Sequence, residues 1–147
     1  MKLIHLVIGI LAVALTGGAG IWGAWCWHRV RQTRLFWRLL RAGQGVIVLD
    51  MALGGVLLVM GKKASELHLI YGLLPLAVSF VAEQLRIAAA QMILDSRGFQ
   101  SSAEVGELPE SEQRLVVVRI VQRELGVMVL AALVILVLLI RAAGTGG

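Results

Sequence analysis

Cysteine is nearly absent: Cys26 is the only one in 147 residues. An intramolecular disulfide and a CxxC redox pair are therefore excluded, and with them a four-helix quinone-linked disulfide oxidoreductase. Cys26 lies among Trp22, Trp25 and Trp27 and reads as a small apolar filler. Histidine is scarce as well: His5, His28 and His68 are too few for two bis-histidine haems. No polar stretch is long enough to build a second core, so residues 1–147 read as a single domain. Nucleotide loops, zinc motifs and nucleophile elbows are missing, so no catalytic constellation is expected. Internal repeats are missing too, which argues against an inverted-repeat transporter built within one chain.

What is present is apolar. Hydrophobic residues make up 59% of the chain and the mean hydropathy is +0.86, which places it in the membrane class. The net charge of +5 resides in basic residues that flank apolar segments, where topology and lipid headgroups explain them and nucleic acid need not be invoked. The expected fold is all-α: a polytopic integral membrane protein forming an antiparallel bundle of four transmembrane helices. The spans fall at about 3–27, 42–60, 66–86 and 115–140.

The centre of the second span is the anomaly. Asp50 falls near its midpoint, where a carboxylate costs roughly 2.5–3.5 kcal/mol on insertion scales. Helical spacing sets Gly43, Asp50, Gly54 and Gly61 on one face, so Asp50 should point into a helix-packing seam. Thr16 and Ser79 are the hydroxyls expected at its depth, as hydrogen-bond partners for a carboxyl that is otherwise protonated.

Along the chain, Ala12-Val13-Ala14 looks like a signal-peptide cleavage site, but apolar sequence continues past it and only Lys2 precedes it. A retained helix is expected, with His5, Gly9, Ala12, Thr16, Gly20 and Gly23 as its packing face. The basic hinge from His28 to Arg41 has no Gly or Pro to make its turn, and Trp25, Trp27 and Trp37 read as an interfacial belt. Spans two and three, joined by a short connection, should be antiparallel neighbours, with Ser65 as the N-cap of the third helix. That helix carries Pro75, which should kink it, and continues beyond the bilayer to a stop at Gly98. The acidic stretch at about 98–113 is the only substantial loop, and Leu125 to Ile140 has no polar side chain and reads as facing lipid.

Ten of the Lys and Arg residues flank the first and third connections and four lie on the opposite side. The positive-inside rule then places both termini outside and the basic connections, with the 98–113 loop, in the cytoplasm of a bacterial inner (plasma) membrane. Three layers result. An inner one holds Arg38, Arg41, Glu83, Arg86, Arg119, Arg123 and Glu124, a cluster for mutual pairing or for an anionic lipid. The middle layer holds Asp50 with the hydroxyls of Thr16 and Ser79, and the outer one holds His5, Met60, Glu66, His68 and Tyr71.

The leading expectation is a structural or accessory subunit, resident in the bilayer, that binds another membrane protein or a second copy of itself. One alternative is a small proton-linked transporter or channel working as an oligomer through Asp50. The other is an electron carrier binding haem b or a metal through His5 and His68, with Met60 as a further soft ligand.

Overall fold

The computed structural model describes residues 2–145. The helices are α1 (Lys2–His28), α2 (Arg34–Val59), α3 (Glu66–Ser96), the short α4 (Ser102–Val105) and α5 (Glu110–Thr145). No strand occurs among the described residues. Four of the helices are long and apolar enough to cross a membrane.

Local sequence explains where these helices stop. At the end of α2 the Gly61 N–H donates to the Leu58 carbonyl and the Lys62 N–H to the Leu57 carbonyl. Gly61 takes the left-handed conformation (φ 77°) that this Schellman closure requires. Gly61 is thus a terminator and not a member of the Gly43–Asp50–Gly54 face. Gly98 (φ 76°) closes α3 in the same way, as expected, and the following Phe99 packs with Leu94. Ser65 caps α3 by accepting the His68 N–H at 3.2 Å. α3 runs through a buried Pro75 without interruption.

The hinge after α1 repeats the motif with the wrong residue. Val30 N–H donates to Trp27 and Arg31 N–H to Cys26, so Val30 occupies the glycine position at φ 50°. A β-branched residue there is strained, by about 1–2 kcal/mol. Thr33 fixes the turn from the other side: its hydroxyl accepts from Trp22 Nε1 at 3.0 Å and from the Phe36 N–H at 3.3 Å, and lies 3.5 Å from Cys26 Sγ. Val30→Gly should therefore stabilise the protein by about 1 kcal/mol, measured as a higher melting temperature in detergent. A lower one would show that the Val30 side chain contributes more than its backbone loses.

The bundle is organised around α5, contrary to the expectation that its apolar half faces lipid. Half of its most apolar stretch is buried, against 28% for α1 and 17% for each of α2 and α3. α5 lies between α1 and α3, and α1 lies between α5 and α2. The connection from α2 to α3 is short, yet these two helices meet only sparingly. The main core gathers Ala19, Phe36, Leu40, Ala82, Leu125 and Met128 from all four long helices.

Small residues decide how closely α1 approaches its neighbours. Toward α2, Gly9 lies against Asp50, Thr16 against Gly43 and Gly23 against Phe36, so one seam advances by seven residues on both helices. Toward α5, Gly17 meets Leu136, Gly20 meets Leu133, and Trp27 lies on Gly126. α1 is accordingly the packing helix that its glycines predict, and it packs on two faces.

α3 and α5 have 31 and 36 residues. At 1.5 Å per residue they are about 46 and 54 Å long, well beyond the ~30 Å apolar layer of a bilayer. Their surplus forms a hairpin closed by α4, so the 98–113 stretch is more ordered than a plain loop. A separate small core of Leu94, Val105 and Val116, with Phe99 and Leu108 beside it, holds that hairpin together.

Candidate functional site

Two polar centres lie within the bundle, one toward each end. Near the hinge end, Glu83 of α3 is the focus. Arg41 of α2 donates to both of its oxygens, at 2.6 and 3.1 Å, and Gln44 Nε2 adds a third bond at 3.3 Å. Arg86, one turn further along α3, approaches Glu83 at 3.3 Å and Glu124 of α5 at 3.9 Å. Trp37 supplies an aromatic floor: the Arg86 guanidinium lies 5.2 Å from its ring and that of Arg41 6.0 Å. Two arginines and two glutamates balance, so the group is neutral as a whole.

Four of the seven residues expected in this layer are thus brought together. Arg38 and Arg119 are exposed and outside the network, and Arg123 points its guanidinium at Met92 Sδ, 3.6 Å away. Gln44 and Trp37 are the members that sequence reading missed. Gln44 had a signal, because it sits three residues after Arg41 on one helix face, and the two are joined at 2.8 Å. Trp37 is drawn in from the supposed interfacial belt, and Trp27 is likewise packed on Gly126. Of the belt only Trp25 remains outward, stacked at 5.0 Å on Trp22 with Arg29 over it.

The second centre corrects the partner expected for Asp50. Neither Thr16 nor Ser79 reaches it. Thr16 sits against Gly43, one seven-residue step along the seam, and Ser79 Oγ is buried without a hydrogen-bond partner. The partner is His5, whose Nδ1 lies 2.8 Å from Asp50 Oδ1. Both atoms are shielded, and the ring N–H is not well aligned with the oxygen, so the attraction is chiefly one of charge and dipole. His5 and Asp50 therefore share one level and not two layers, because α1 and α2 are staggered in their seam.

His68 of α3 completes this centre. Its ring centroid is 6.0 Å from that of His5, with the rings nearly perpendicular at 82°. Its Nδ1 lies 2.9 Å from the Ala142 carbonyl of α5. Beside it, Ser65 Oγ donates to the Thr145 carbonyl at 2.8 Å and Arg141 lies over Tyr71, which ties α3 to the end of α5. Met60 is exposed at the C-cap of α2. Six residues separate it from Gly54, whose Cα faces His5, which is about 9 Å along the axis. No group of three or more His, Cys, Asp or Glu residues is arranged to hold a metal among the described residues. No family model matches the chain, and no curated protein or solved structure matches it either.

Proposed function

We propose that this chain is a multi-pass protein of the bacterial inner membrane that serves as an accessory subunit, holding another membrane protein through its projecting hairpin. The observation that carries this reading is the extension of α3 and α5 past the length a bilayer requires, with a small core of its own at Leu94, Val105 and Val116. An ordered arm exposing Asp95, Glu107, Glu112 and Arg114 presents a surface to a partner. One face of α3 on that arm carries Ala88, Gln91, Met92, Asp95 and Ser96. The neutral Arg41–Glu83–Arg86–Glu124 group supports the same reading, since charges that satisfy one another hold helices together. Both termini lie outside and the arm in the cytoplasm, as the split of basic residues favours.

Two measurements bear on this. Cysteines introduced at Lys62 and Gly106 should label from opposite faces, Lys62 from outside, while buried Cys26 stays silent. Labelling of both from one face would overturn the topology. Purification in mild detergent should yield a stoichiometric membrane-protein partner that is lost from the Glu107→Lys, Glu112→Lys double variant while its melting temperature is unchanged. A chain that purifies alone would overturn the accessory role, and pH-dependent flux driven by the chain alone in liposomes would replace it with transport.

A further inference from the structure

All four long helices contribute one group to the centre around His5: His5 itself, Asp50, His68 and the Ala142 carbonyl. A backbone carbonyl can only accept, so the 2.9 Å contact from His68 Nδ1 to Ala142 requires the proton on Nδ1. The neutral His68 ring then keeps a free lone pair on Nε2. Asp50 Oδ1 lies 2.8 Å from His5 Nδ1 without a well-aligned hydrogen bond, but the nearby negative charge favours the proton on that nitrogen, which leaves Nε2 free in the neutral ring. Metal-ligating histidines characteristically give their other ring nitrogen to a carboxylate or a backbone carbonyl, which fixes the tautomer and raises ligand basicity. Here each of two neighbouring imidazoles has one such partner, supplied by a different helix.

We propose that His5 and His68 form a two-imidazole site for a divalent ion of the copper or zinc class, with Asp50 and the Ala142 carbonyl orienting the rings. With metal–nitrogen bonds of about 2.0–2.1 Å, an ion lies roughly 3 Å from each ring centroid, so two rings on one ion can be up to roughly 6 Å apart. The observed 6.0 Å reaches that limit, so the two nitrogens would stand nearly opposite one another on the ion, as the square-planar geometry of Cu(II) allows. Imidazole nitrogen suits copper and zinc among the first-row ions. Asp50 is engaged with the ring behind His5, so water or a small anion completes the coordination. Met60 stays outside the site. This assignment is independent of the accessory role, because it concerns the end of the bundle opposite the arm.

The test is titration of the purified protein in detergent with Cu(II), read by electron paramagnetic resonance, with zinc as competitor. One copper per chain is expected, with hyperfine structure from two imidazole nitrogens. His5→Ala and His68→Ala should each remove a nitrogen, and Asp50→Asn should weaken binding by about 10–100-fold. His28→Ala, an exposed residue at the other end, should change nothing. Copper held by fewer than two imidazoles in the wild type overturns the site, whether or not the variants fold. So does binding that survives His68→Ala unaltered, as attachment at the chain's amino terminus would.

Discussion

Gly23→Ala is expected to lower the stability of the bundle by about 1–3 kcal/mol, the usual range for forcing atoms into a packed core. A Cβ at Gly23 would stand 2.5 Å from Phe36 Cε2 and 2.7 Å from Val129 Cγ2. These are not flexible side-chain ends at a surface: Phe36 is fully buried and Val129 is 1% exposed. Neither can retreat without moving its helix, and α1, α2 and α5 converge at this point. The comparison is Gly55→Ala, in α2, where nothing lies within 4 Å of the added methyl. That change should be neutral or stabilising by about 0.5–1 kcal/mol, because alanine restricts the unfolded chain and favours helix. Melting curves in one detergent would separate the two. Equal effects would mean that the close approach of the three helices at Gly23 is wrong.

The second large effect stems from the position of α5. Leu125→Ala should destabilise by about 2–4 kcal/mol, through the cavity left among Ala19, Phe36, Ala82 and Met128. Leu130→Ala, five residues further along and 54% exposed, should fall within about 0.5 kcal/mol of the wild type. Both leucines belong to one uninterrupted apolar run, so hydropathy treats them alike. Chemical or thermal unfolding in detergent measures the difference. Similar losses at both positions would return α5 to the periphery of the bundle.

This pair of leucines shows how the packing of uniformly apolar helices escapes a reading of composition. In water, an apolar residue on a polar helix announces which face is buried. In a bilayer, lipid tails are as apolar as leucine, so a residue in the core and one facing lipid carry the same hydropathy. The long run from Leu125 to Ile140 therefore looks lipid-facing in the sequence, although it holds much of the core. Glycines are more informative, because they mark where backbones come close whatever the solvent. The His5–Gly9–Thr16–Gly23 face and the Gly43–Asp50–Gly54 face are legible as packing surfaces for that reason.

The polar centres are legible to different degrees. Arg41, Glu83, Arg86 and Glu124 can be grouped because charges within an apolar chain gather at one depth, and depth can be counted from residue spacing along each helix. Pairing Asp50 with His5 is beyond such reasoning. Counting depth takes the helices as level with one another, whereas the seven-residue seam of Gly9 on Asp50 and Thr16 on Gly43 sets a stagger of several residues.

By itself, then, the amino-acid sequence determined the local features and those set by hydropathy. They include the all-helical class, four helices able to cross a membrane, the Ser65 cap and the Gly98 stop, because each depends on a few neighbouring residues or on mean apolarity. Tertiary structure alone decided that Val30 would take a glycine's conformation at the hinge, that α5 would be central, and that Asp50 would meet His5. Those outcomes rest on the shapes of helix faces and the register in which they interlock, which no single helix encodes.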